Sequence, residues 1–199
     1  DGDPDGGGLD LLLGAEEASG IRWADLAAAQ GRLSAATLDY ALPHPGGVAL
    51  LSHGRAGAVR VSGEAFSSVL GAGVRGYEQV FIDVPRSAWG SAPEMLELAD
   101  RTILLVPGRV RGIAAAAAAL PWLRETTKEI VIVIRSAPRG VAPREVGRAL
   151  GSSGLHVLPE QQQLATRADR GEPVLANDAY AKAVRALLAD AMPVKASVA

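Results

Sequence analysis

The residues of this chain best suited to chemistry are acids in loops broken by glycine and proline. The chain opens "DGDPDGGGLDLLLGAEE", with Asp1 and Asp3 separated by one glycine, and a further acid, Asp83, closes the apolar run "QVFIDVP". The "GD" and "DP" steps mark the opening as a loop that leaves a strand. An aspartate at the carboxyl end of a buried strand lies where open α/β sheets bind ligands, and it is desolvated there only if something pairs with it. Two such positions in one sheet suit a hydrated Mg²⁺ beside a phosphate chain, because a hard cation takes oxygen ligands and keeps several waters. Asp83 has an equally good alternative use, capping the amides of the following loop "PRSAWGSAPE". A phosphate cradle, G-x-x-x-x-G-K-[ST], would complete a nucleotide site, but lysine occurs only at Lys128, Lys182 and Lys195 and no such motif is present.

Other patterns carry less. "GAGVRG" (Gly71, Gly73, Gly76) is a literal G-x-G-x-x-G, yet it closes a helical segment and leads into a strand, so a C-capping and turn role is expected instead of pyrophosphate binding. His44, His53 and His156 are scattered, with no carboxylate at metal-ligand spacing. "GSSG" (Gly151 to Gly154) lacks the spacing of a nucleophile elbow and reads as a helix-to-strand loop.

The elements that must hold these residues alternate. "VALLSH" (48–53), "QVFIDV" (79–84), "TILLVP" (102–107), "EIVIVIR" (129–135) and "LHVLP" (155–159) are short, β-branched and apolar on both faces, the texture of buried parallel strands. Helical composition fills 63–76, 92–99, 110–126, 143–150, 160–170 and 178–192. Together they predict an α/β fold, a doubly wound, mostly parallel sheet flanked by helices. Near the start "LDLLLG" reads as a short helix, and "IRWADLAAAQGRL" and "SAATLDYAL" as surface helices, the latter capped by Ser34. The alanine run 114–119 is expected to be plain helix with Ile113, Leu120 and Leu123 as its apolar edge. The last helix places Tyr180, Val184, Leu187, Leu188 and Ala191 on one stripe toward a core.

Composition bounds the reading. With 199 residues and 48% apolar content, the chain 1–199 is expected to form a single domain. A net charge of −2 gives no overall electrostatic footprint for nucleic acid. The absence of cysteine excludes a disulfide framework and thiolate metal sites, and fits a cytoplasmic location. No apolar run reaches the roughly 20 residues of a membrane span; the longest, "GIAAAAAALPWL", contains Pro121.

Taken in order, these motifs resemble the MinD/ParA class of deviant-Walker P-loop ATPases. "DGDPDGGGLDLLLG" is similar to that family's second strand end, D-x-D followed by a loop and L-D-hydrophobic-hydrophobic-hydrophobic-G. "QVFIDVP" resembles its Walker B strand, and "ADRTILLVPGRVRGIAAAA" the next strand and helix. "EIVIVIRSAPRG" looks like the strand that ends beside the base, and "LPEQQQLATRADRGEPVL" like the turn closing over it, with a helix ending in R-G-E-P. The alanine- and arginine-rich texture looks most like the CpaE-like branch, which includes septum-site-determining proteins encoded beside secretion or pilus genes.

What the resemblance implies is specific. Asp3 matches the aspartate that orients the attacking water, Asp1 its partner near the metal shell, and Asp83 the acid that holds Mg²⁺ through water. Arg135 and Pro159 lie where the base of ATP is contacted. The expected protein is an ATP- and Mg-dependent homodimer acting in septum placement or in localising a pilus or secretion apparatus. Its partners would be proteins of those machines, and it would be cytoplasmic, with peripheral association at the inner face of the membrane. The chain would be the C-terminal portion of the ATPase domain, its first strand and P-loop lying upstream, so that these residues alone would not hydrolyse ATP and would leave strand edges exposed. Two departures stand out: Ile134 replaces the asparagine common before the base-contacting arginine, and "DVPRSAW" lacks the usual Thr or Ser and second proline. The alternative is a non-hydrolysing dimeric scaffold that keeps the fold and docks partners.

Overall fold

Serine hydroxyls start the principal helices of the first half of the chain. A computed structural model describes residues 1–55, 59–90, 93–170, 172 and 179–191. They divide into two compact units, one from Asp1–Met95 with Leu164–Val174 and one from Leu96–Gln163 with Leu175–Ala199. The first unit contains α1 (Leu9–Leu12), α2 (Trp23–Leu26), α3 (Ala35–Ala41) and α4 (Gly63–Gly76). As expected, Ser34 caps α3, its Oγ accepting from the amide of Thr37 at 3.3 Å; Ser62 does the same for α4 through Ala65 at 3.1 Å. These caps fix the angle at which α3 and α4 bury their apolar stripes. Leu38 and Leu42 from one side and Phe66, Val69 and Ala72 from the other close on Trp23, forming the core of this unit. The G-x-G-x-x-G pattern forms the last turns of α4, which ends at Gly76 with the amide of Tyr77 returned to the carbonyl of Gly73.

After α5 (Glu94–Glu97), the second unit opens with β1 (Thr102–Pro107), α6 (Val110–Thr126), β2 (Ile130–Arg135), α7 (Pro143–Leu150) and β3 (Leu155–Leu158). Helix α8 (Gln162–Ala168) follows, and α9 (Ala179–Ala191) completes the second unit. The strands form one parallel sheet, β1-β2-β3, in a register that pairs Pro107 with Arg135 and Arg135 with Leu158. Their carboxyl ends are therefore level. Helix α6 lays Ile113, Ala116, Leu120 and Leu123 inward as its spacing predicts, and it continues through Pro121. From α9, Leu187, Tyr180 and Val184 join Val133 and Leu158. Gly151 ends α7 in the left-handed conformation and the "GSSG" loop leads into β3. Parts of three expectations, namely Ala92, the ends 178 and 192 of the last helix, and Gly171 and Pro173 of "RGEP", lie outside the described residues.

Two of the expected strands differ. The runs 48–53 and 79–84 carry no ladder, because each is bonded to the opening residues by one backbone hydrogen bond only, Leu51 to Asp1 and Asp83 to Gly2. An extended run becomes a strand only when its amides and carbonyls pair along its length. Nor is 79–84 buried on both faces: Phe81 is 60% exposed. On β1, Leu105 is equally open at 60%.

On the surface of the first unit, one carboxylate oxygen of Asp39 in α3 accepts from the hydroxyl of Tyr77 at 2.6 Å and lies 2.9 Å from Nε2 of His44. The two bonds hold the Asp39 carboxyl below its usual range, that of Tyr77 contributing most. Burial, and next the bond to Asp39, pushes the Tyr77 phenol up from 10.0 to about 12. An acid whose folded pKa is raised adds stability that is complete below its unfolded pKa and is lost as pH climbs to the folded one. The Tyr77 contribution therefore disappears between 10.0 and about 12. In a spectrophotometric titration, the difference between wild type and Tyr77→Phe should show a phenol ionising near 12, and Asp39→Asn should move it down toward 10.0. A wild-type difference curve centred on the ordinary tyrosine value would show that the bond is absent.

Candidate functional site

The close spacing of the first three residues is set by backbone contact. The amide of Gly2 donates to the carbonyl of Asp83 at 2.9 Å, and a Cβ on Gly2 would stand 2.6 Å from that oxygen and 3.2 Å from Sδ of Met95. Only glycine fits between the flanking acids. The backbone of Asp1–Asp3 thus lies against that of Asp83 in the first unit.

Asp1 is gripped along its whole length. Its nitrogen donates to the carbonyl of Leu51 at 3.0 Å, and its own carbonyl accepts from Nε1 of Trp23 at 2.7 Å. Its Oδ1 accepts from the amide of Asp3 at 3.1 Å, and its Oδ2 accepts from the amide of Leu9 at 3.1 Å and from the hydroxyl of Ser52 at 2.8 Å. One carboxylate thereby closes the loop from residue 1 to residue 9. Asp3 is less committed, its Oδ1 accepting from the amide of Asp5 at 3.1 Å in a local turn. Asp83 is exposed and its carboxylate makes no hydrogen bond or ion pair among the described residues. The capping use foreseen for it is therefore not made by any described amide.

Beneath the loop lies a buried charge that sequence reading passed over. Asp10, 1% exposed, receives both terminal nitrogens of Arg55 at 3.3 and 3.1 Å, and Nε of Arg22 stands 3.8 Å away. The amide of Leu11 reaches its Oδ1 at 3.0 Å, and Oγ of Ser52 lies 3.3 Å from the same oxygen. A buried carboxylate is tolerated only with partners of this number, since leaving one unpaired costs several kcal/mol. Gly8 sits directly on it at φ 91°, where a Cβ would approach Oδ1 of Asp10 to 2.5 Å. The signals were present but faint: an acid inside the apolar "LDLLLG", and Ser52 inside the apolar "VALLSH".

His53 stacks on the Trp23 ring with centroids 6.1 Å apart. Burial, its largest influence, pushes its pKa down, against the carboxylates of Asp3 and Asp5, which push it up. With Pro4, Gly6, Gly7, Gly8, Gly54 and Arg55 it lines a cavity of about 220 Å³.

The other two predicted residues belong to the second unit. Arg135 ends β2 and Pro159 follows β3, whose Leu158 is the register partner of Arg135 and accepts from the amide of Ser136 at 2.9 Å. They therefore stand on adjacent strand ends. Arg135 is exposed, and its guanidinium makes no hydrogen bond or ion pair among the described residues.

Among the described residues no three His, Asp or Glu side chains are grouped to hold a metal ion. Asp83 and Oδ2 of Asp3 retain unused lone pairs, while Asp1 has given its own to the loop. His44 and His156 each pair with a single carboxylate, Asp39 and Asp190, both at 2.9 Å. No described helix is long and apolar enough to cross a membrane.

Comparison with known proteins places this geometry in a fold. The chain superposes on the MinD cell division protein of Aquifex aeolicus with a TM-score of 0.72, covering 98% of this chain and 84% of that one at 18% identity. It superposes on a ParA family ATPase from Chlorobium tepidum TLS with a TM-score of 0.74, covering 90% and 78% at 17% identity. The α/β fold, a parallel sheet flanked by helices, is thus the fold of these MinD and ParA structures. In sequence the chain is 37% identical over 170 residues to two Mycobacterium tuberculosis proteins, Uncharacterized protein MT3760 of strain CDC 1551 / Oshkosh and Uncharacterized protein Rv3660c of strain ATCC 25618 / H37Rv. The match covers 85% of this chain and 48% of theirs, so the chain spans about half the length of these curated relatives. No family model matches the chain.

The contact at Gly2 is directly testable. Gly2→Ala forces its methyl group against the Asp83 carbonyl and should lower stability by about 1–3 kcal/mol, the usual range for overpacking. At Gly7 an added Cβ meets nothing within 4 Å, and Gly7→Ala should stay within about 0.5 kcal/mol. Urea midpoints of the two variants that coincide would show that the Gly2 approach is not a constraint.

Proposed function

We propose that this chain is part of an ATP-dependent spatial regulator of the MinD/ParA type, in its CpaE-like branch, acting in septum-site determination or in localising a pilus or secretion apparatus. The observation that carries the reading is the seating of Asp1-Gly2-Asp3 on the Asp83 carbonyl, which brings two acidic segments together in a chain with this fold. In this reading Asp83 holds Mg²⁺ through water, and Oδ2 of Asp3 orients the attacking water. When bound, the metal neutralises charge on the phosphate oxygens. Arg135 and Pro159 border the base. A P-loop elsewhere in the full-length protein supplies the lysine and amides that these residues do not, so this stretch alone does not turn over ATP. The working form is a homodimer in the cytoplasm, meeting division or secretion proteins at the inner face of the membrane.

A non-hydrolysing dimeric scaffold is the second reading. It is favoured by one feature, the engagement of both Asp1 carboxylate oxygens by amides and a hydroxyl of its own chain.

Two measurements on the full-length protein separate them. Asp3→Ala should reduce ATP hydrolysis about 100-fold, within the range for loss of a group that positions or activates a nucleophile, with Mg·ATP affinity by calorimetry nearly unchanged. Hydrolysis that survives the substitution removes Asp3 from this role, and the absence of any Mg·ATP binding by the wild type leaves the scaffold.

A further inference from the structure

We infer that Ser52, Asp10 and Arg55 are positioning residues: they fix where Asp3 stands without themselves meeting a substrate. The inference deepens the nucleotide reading and relies on it only for what Asp3 does; the geometry lies wholly within the first unit.

The argument begins with a shared proton. Oγ of Ser52 lies 2.8 Å from Oδ2 of Asp1 and 3.3 Å from Oδ1 of Asp10, and Ser52 is 0% exposed. A hydroxyl has one proton to donate, so the shorter contact to Asp1 takes it. Asp10 must then be stabilised by other groups. Arg55 meets it with two parallel nitrogens, the fork geometry that suits a carboxylate, and its charge offsets the repulsion between two acids that border one buried oxygen.

From Asp1 the constraint passes outward. Its two oxygens hold the amides of Asp3 and Leu9, the points where the acidic loop departs and returns. Gly8, seated on Oδ1 of Asp10, ties the returning strand of the loop to the same base. The first turn beyond, Asp3 to Asp5, is closed by Oδ1 of Asp3 itself. Each bond removes one freedom, until Oδ2 of Asp3 is what the loop presents.

Remove the Ser52 hydroxyl and Asp1 faces Asp10 with no proton between them. The relief available is for Asp1 to turn away, which releases both amides and moves Asp3. A positioning loss of this kind lowers turnover more than binding. A purely structural role would instead weaken the whole unit.

The test uses the full-length protein and two substitutions, Ser52→Ala and Arg55→Met, with amide hydrogen exchange and ATP kinetics measured on each. Expected are exchange at the Asp3 and Leu9 amides accelerated about tenfold or more, with amides in the middle of α4 unchanged, and a kcat reduced about tenfold at a KM for ATP within twofold of wild type, the scale of one lost charge-assisted hydrogen bond. Asp3 and Leu9 amides that stay as protected as in wild type would overturn the inference. So would acceleration spread equally over α4. If wild type does not hydrolyse ATP, the nucleotide reading falls, while the exchange pattern still decides whether these residues hold the loop.

Discussion

The carboxylate of Asp1 offers about four lone-pair directions, and three of them meet donors of its own chain: the amides of Asp3 and Leu9 and the hydroxyl of Ser52. This one group sets the path of the opening loop, since a segment with glycine at positions 2, 6, 7 and 8 has little conformational preference of its own. The glycines that deprive the loop of local preference also let it approach the Asp83 carbonyl at one end and the Asp10 carboxylate at the other. Freedom in the backbone and rigidity from one side chain are two parts of the same arrangement.

The second unit reaches order by a different route. Its strands need no charged clasp, because parallel pairing over β-branched residues already levels Pro107, Arg135 and Leu158. Burial of Val106, Val133 and Ile134, none above 1% exposed, anchors these strands on both faces of the sheet. Arg135 and Pro159 inherit their places from the sheet. Asp3 inherits its place from a hydrogen-bond network, which is why single atoms matter more in the first unit.

This contrast explains what the sequence made legible. The helices 63–76, 110–126 and 143–150 and the three strands of the sheet were readable because periodicity and β-branching report local preference and burial together. That Asp83 closes an apolar run was readable, but its backbone contact with Gly2 was not. The run 79–84 was misread as buried, since Val80, Phe81 and Ile82 announce an apolar face without saying what covers it. Asp10 and Arg55 could not be paired from sequence, being 45 residues apart and joined only by folding. Nor could Ser52 be distinguished from a serine that ends a strand, because a hydroxyl shows its partners only in three dimensions.

Trp23 touches both the acidic loop and the core of the first unit. Its indole N–H holds the carbonyl of Asp1, one of its neighbours is the imidazole of His53 at 6.1 Å, and the other is Phe66 of the core at 5.9 Å. An indole between a titratable ring and an apolar one emits light that depends on both, and here it is bonded to the first residue of the acidic loop. The unit therefore carries a built-in optical reporter of its loop, able to register the loop's movement or the charging of His53 without an added label.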